Sequence, residues 1–226
     1  MNRKLLILLL LIGFVVLAFW SPWLYLKLDF AQLFGVSGPE SISGLQVHSL
    51  AGELEVYLDG ELKGTSSADK EPLILDRVVP GDYLLTLKRK SDARSAYWDF
   101  NKLITFVPGM SVIVSYNLGP EEIFSEGHII YTSKKESISE KSKLHIEMSV
   151  DDPEISIEDL SVQRINSREY LSELTFDKTH KITIKKSGYE GLEFVILPDN
   201  QDERNAVSQF NLNIDIQLML QPVKVE

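Results

Sequence analysis

Cysteine is missing from all 226 residues. That absence excludes disulfides, thiol nucleophiles, Cys-ligated zinc and lipid attachment through cysteine, and leaves the fold to rest on its own hydrophobic core. Basic charge is also scarce. The chain carries −10 net, and Arg3, Lys4 and Lys27 all precede the first acidic residue, Asp29. With those three set aside, residues 29–226 hold all 33 acidic residues against 20 basic ones, a balance of −13. A surface of that sign repels phosphate backbones, and no basic stripe offsets it, so no nucleic-acid partner is expected. P-loop, GxGxxG, HExxH and GxSxG patterns are absent as well. Catalytic machinery therefore has no local signature, and no cofactor is expected.

The sequence has one long apolar run, and it lies at the start. From Leu5 to Leu26 there is no charge; as a helix rising ~1.5 Å per residue the run covers roughly 33 Å, enough to cross a hydrocarbon core. Residues 5–26 are expected to form a transmembrane anchor behind a cytoplasmic tail of residues 1–4. Trp20, Trp23 and Tyr25 would sit at the far membrane interface, where amphipathic rings are favoured. A cleaved signal peptide is the rival reading, but such peptides end in small residues, whereas this run ends LAFWSPWLY. Arg3 and Lys4 favour a cytoplasmic N-terminus and place the remainder outside the cytoplasm. The expected location is the cell membrane, as a single-pass protein, with residues 27–43 as a stalk. A tail that short leaves no room for a cytoplasmic output domain, which argues against a self-contained receptor.

Beyond the stalk the period is two, not 3.6. Leu54, Val56 and Leu58 alternate with Glu53, Glu55 and Tyr57, and the tight-turn pair Asp59-Gly60 follows. Pro80-Gly81 precedes DYLLTLKRK, with Tyr83, Leu85 and Leu87 on one face, and Pro108-Gly109 separates two more apolar segments. Short strands with a turn signal every ten or so residues predict a β-sandwich or barrel. Residues 119–142 change character and read as a linker carrying one extra strand candidate, HIIY. Alternation then resumes in Leu144, Ile146, Met148 and Val150, in Ile155 and Ile157, and in Ile182 and Ile184. The two halves superpose in order: SLAGELEVYLDG on SVDDPEISIED with one residue dropped, and VVPGDYLLTLKRK on LTFDKTHKITIKK. The expected architecture is all-β, two small sandwich-like domains in tandem over residues 44–118 and 143–223.

The first half resembles the PEGA family of small envelope β-domains. Ser49, Val56, Leu58, Asp59, Gly60, Gly64, Pro80, Gly81 and Tyr83 fall on its pattern positions. The four residues that name the family are replaced by Ala51, Gly52, Glu53 and Leu54. Ser67 stands at a proline position, and Ala96-Tyr97 replaces Gly-Tyr. The second half keeps Gly188-Tyr189 but has Glu158-Asp159 and Asp177-Lys178 where the turns belong. The resemblance implies an accessory module of the cell envelope, not a catalyst, with turn residues as its signature.

Candidate chemistry is sparse. His48, His128, His145 and His180 lack metal-motif spacing, and Ser49 and Ser95 lack a neighbouring base. Asp151, Asp152 and Glu154, with Glu158 and Asp159 nearby, form an acidic loop whose oxygens suit Ca²⁺ but lack EF-hand spacing; a solvated loop is favoured. DNQDER at 199–204 reads in the same way. Tyr97, Trp98 and Phe100 form an aromatic cluster, with core burial favoured over a sugar-stacking platform. The expected role is therefore an extracytoplasmic, membrane-anchored binding or scaffold protein of the bacterial envelope, with an envelope protein or polysaccharide as partner. The alternatives are an envelope hydrolase with a site between the domains, or an accessory subunit of a membrane complex.

Overall fold

Alternation becomes strand wherever one face can be buried. The computed structural model describes residues 42–91, 96–137 and 141–221. The anchor, with Trp20, Trp23 and Tyr25, lies outside the described residues. So does Ser95. No helix among the described residues is long and apolar enough to cross a membrane.

The first half contains β1 (Ser43–Ser49), β2 (Glu53–Leu58), β3 (Glu61–Ser67), β4 (Leu73–Val78), β5 (Gly81–Arg89), β6 (Phe100–Phe106) and β7 (Ser111–Asn117). After β8 (Glu126–Lys134) come β9 (Lys143–Met148), β10 (Glu154–Ile157), β11 (Val162–Arg164), β12 (Glu169–Glu173), β13 (His180–Lys185) and β14 (Leu192–Ile196). A single 3-10 turn (Glu122–Phe124) before β8, the helix α1 (Gln201–Val207) and β15 (Phe210–Gln217) complete the described elements. The described residues are mostly β, arranged in three sheets. An eight-stranded sheet runs β11-β12-β9-β15-β8-β7-β1-β4, a four-stranded one β3-β2-β5-β6, and a three-stranded one β10-β13-β14.

Both halves follow one plan. β1 lies antiparallel to β4 and parallel to β7, just as β9 lies antiparallel to β12 and parallel to β15. Val56 and Leu58 face Leu87 and Leu85, while Ile155 and Ile157 face Ile184 and Ile182. The halves diverge after the second strand. Asp59 and Gly60 both have positive φ, 50° and 80°, as a type I′ turn requires, and they return β3 onto β2. In the second half Glu158-Asp159 stands there, and β11 pairs with β12 in the other sheet. Asp59 adds a tie to β5: its Oδ1 accepts from the Leu84 N–H at 2.8 Å. Asparagine at this position keeps a side-chain oxygen there, so Asp59→Asn should shift stability by no more than about 0.5 kcal/mol. Gly60→Val should cost about 2 kcal/mol, because a β-branched residue is strained at that φ; urea midpoints will separate the two variants.

Two hydrophobic clusters result. One gathers Leu45, Val47, Leu54, Val56, Leu85, Leu87, Phe106, Val114 and Ile129; the other gathers Leu144, Ile146, Ile182, Ile184, Ile196, Leu212, Ile214 and Ile216. The strand β8 belongs to both. Ile129 and Tyr131 pack into the first cluster, and Ile130, on the opposite face, packs into the second. Because successive side chains point to opposite faces, the four- and three-stranded sheets cover opposite sides of the large sheet. The stretch expected as a linker with one extra strand thus supplies the rung ladder joining the halves, β7–β8–β15.

Candidate functional site

One face of the large sheet can be followed rung by rung. Ile74, Gln46, Ile113, Ile130, Ile214 and Ile146 are successive cross-strand neighbours on β4, β1, β7, β8, β15 and β9. Over β15 and β9 the three-stranded sheet covers this row, and Ile214 and Ile146 are buried. Over β8, β7, β1 and β4 the cover ends. Ile74 is 56% exposed there, and across the gap Val195 is 58% exposed. Between sheet and overhang lies a largely apolar groove of about 500 Å³, floored by Gln46, Ile113, Ile130 and Thr132 and walled by Val195, Leu197, Pro198 and Val207. A shallower depression beside Ile42, Gly44 and Ile74 shares Gln46, Gly109 and Ser111 with it.

The wall is built by an unusual device. Arg204, in α1, is only 8% exposed and has no carboxylate partner in its hydrogen-bond set. Its guanidinium donates to the carbonyls of Phe176 (3.2 Å), Pro198 (2.8 Å), Asp199 (2.5 Å) and Asp177 (3.5 Å) and to Gln201 Oε1 (2.7 Å). The planar fork with five donors is what makes this cage feasible. Asn200 caps the helix by accepting from the Asp202 N–H. The segment DNQDER, expected as a solvated acidic loop, is therefore a short capped helix with a buried arginine; an inward cation among four flanking polar residues leaves no apolar stripe to reveal it. Leu197 holds φ 72°, a left-handed backbone that costs a bulky residue of order 1–3 kcal/mol. It keeps its side chain against the second cluster at the groove.

Next to the groove, His48, Ser115 and His128 occupy one rung line across β1, β7 and β8. Gln46 Nε2 and His48 Nε2 are 2.8 Å apart, so the amide donates to the ring nitrogen. The His128 ring lies parallel to Phe194 of β14, with centroids 4.2 Å apart. Its Nδ1 is buried without a hydrogen-bond partner among the described residues. Burial, with a smaller contribution from His48, pushes His128 down to about 4, and burial lowers His48 as well. His145 does not match His48: Leu50 donates to Tyr116 O as Ser149 does to Ile216 O, which aligns His145 with Gln46. His180 is fully enclosed between Glu158 O and the carbonyl and hydroxyl of Thr175.

The opposite face at the seam is polar. Lys102 of β6 pairs with Asp215 and lies 3.9 Å from Glu147, and the Tyr131 hydroxyl donates to Asp215 Oδ1 at 3.4 Å. Asp215 and Glu147 are direct cross-strand neighbours. Burial raises the Asp215 carboxyl against the pull of Lys102, and burial beside Asp215 raises Tyr131. Sequence pattern offers no sign of this cluster, because NLNIDIQ presents Asp215 as the solvent side of an ordinary strand.

The remaining candidates are engaged in structure. Asp151 is bound by Arg168 (2.8 Å) and Ser167 (2.9 Å), which hold its carboxyl below the usual range, and Asp152 by Arg164. Glu154 lies in β10. Among the described residues, no three carboxylate or imidazole groups converge as a metal would need. Ser49 donates within its own turn, to Ala51 O or Gly52 O. Phe100 is buried against Tyr116 (4.5 Å), Trp98 packs edge-on to it (5.8 Å), and Tyr97 lies against Arg89. Gly64 faces Val56, Gly81 opens β5 after Pro80, and Gly188, at φ 83°, accepts from the Gln221 N–H through its carbonyl. No protein-family model matches the chain, and no curated protein matches it significantly.

Proposed function

We propose that this chain is a non-catalytic binding or scaffold protein, anchored by residues 5–26 and presenting two PEGA-like β-sandwich units, the second degenerate, outside the cytoplasm of a bacterial cell. The observation that carries the binding reading is the half-covered row Ile74–Gln46–Ile113–Ile130–Ile214–Ile146. A sheet face that is apolar beyond the end of its cover favours an external apolar segment in the same position. The strained Leu197 at the groove supports a built wall, since strain persists where surrounding structure over-determines it. Its partner in this reading is an envelope protein, with the groove taking an extended or helical apolar segment.

The polar seam favours a second reading. Adjacent Asp215 and Glu147 beside Lys102 and Tyr131 have the composition of an acid–base pair, which would suit an envelope hydrolase. One experiment separates the two. The chain from residue 38 onward, immobilised and exposed to envelope fractions, should capture a protein component, and Ile113→Asp should reduce that capture at least tenfold while the fold is retained. Equal capture by the variant sinks the groove reading. Turnover of envelope glycan or peptide, lost in Asp215→Asn, would establish the hydrolase instead.

A further inference from the structure

We infer that the His128–Phe194 stack is a proton-operated latch, holding β14 and with it one wall of the groove against the seam strand; this rests on the groove reading above. His128 projects from β8, the strand shared by both clusters, and meets β14 face to face through Phe194 at 4.2 Å and 5°. Among the described residues, β14 is an end strand of its sheet, bonded only to β13, and it continues directly into Leu197 and Pro198 of the wall. An end strand held at one side by hydrogen bonds and elsewhere by packing is the element most easily released.

A proton on His128 has nowhere to be satisfied. Nδ1 is buried with no hydrogen-bond partner among the described residues, and His128 as a whole is 9% exposed. Around it β7 presents Ser115, β15 presents Ile216 and β14 presents Phe194. The titratable neighbour is His48, two strands away on the same rung line, whose positive charge would add repulsion. Among the described residues, no carboxylate acts on the ring. Protonation is therefore accommodated by moving the ring to water, and Phe194 loses its partner.

The sign of the linkage follows from the direction of the shift. A depressed histidine contributes stability that is present above its ordinary value of 6.5 and is lost as pH falls toward about 4. If the opened state restores ordinary behaviour, the opening constant of β14 rises roughly 30-fold between pH 7.5 and 5.

Two measurements on the full chain in detergent micelles test this without any partner. By NMR, the amide signals of Leu192–Ile196 should titrate with the same midpoint as the His128 ring protons. Amide exchange of that strand, corrected for its intrinsic pH dependence, should lose roughly 30-fold protection at pH 5. His128→Gln should abolish the pH dependence; should that variant not fold, co-titration in the native chain still decides. β14 signals that stay fixed, or that follow another group's midpoint, overturn the latch while leaving the groove intact. Capture unaffected by Ile113→Asp would sink the groove and leave the latch standing.

Discussion

Arg204→Ala is expected to lower the unfolding free energy by about 3–4 kcal/mol, far more than a surface arginine would. The guanidinium ties three segments together: the turn at Phe176-Asp177, the Pro198-Asp199 exit of β14 and α1 itself. Removing it orphans carbonyls that point inward, and α1 is too short to persist unaided. Lysine at this position keeps the charge but offers donors at a single point, so Arg204→Lys should recover less than half of the loss. Urea unfolding measures both values. Capture from envelope fractions should fall in parallel, since Pro198 and Val207 would lose their support. A full-strength Lys variant would mean that charge, not the fork, is what the site needs.

Gly127→Ala should be nearly as damaging. A Cβ at Gly127 would stand 2.3 Å from Ser115 O and 2.6 Å from Tyr116 Cγ. The first of these is the backbone of β7, held in the ladder by the Tyr116–Gly127 rung, and Tyr116 is itself wedged against Phe100 at 4.5 Å. Neither neighbour can retreat without opening the first cluster. The expected cost is about 3 kcal/mol, or a fall of roughly 6–12 °C in Tm for a chain of this size. Calorimetry is the direct test. An unchanged Tm would show that the β7–β8 ladder yields freely at this rung.

Much of the strand content is visible in the sequence because burial on one face forces period two. Leu54, Val56 and Leu58 turn inward as the alternation predicts, and Asp59-Gly60 makes the turn its backbone preferences demand. What escapes is everything set by pairing across long separations. HIIY is visible as a strand, but nothing local says that Ile129 and Ile130 serve different clusters. The groove escapes for the same reason: Ile113 and Ile130 look like any other inward residues, and only the limit of the three-stranded sheet leaves them partly covered. Arg204 and Asp215 read as solvent-facing, since composition cannot tell a caged cation or a buried carboxylate from a hydrated one. The type of element is a local property; which side chain meets which is not.

The strand β8 has a thermodynamic consequence. Cutting the chain on either side of it would leave the half that keeps β8 with one isoleucine stripped of its partners, Ile129 in one case and Ile130 in the other. Neither half is expected to fold alone, since each relies on β8 to complete its cluster. A lesion in one cluster should thus be felt as lost stability in both, and global unfolding should proceed as a single cooperative event, with end strands such as β14 the first to leave. Two halves of parallel plan that share a strand in this way should behave as one folding unit instead of two links in a chain.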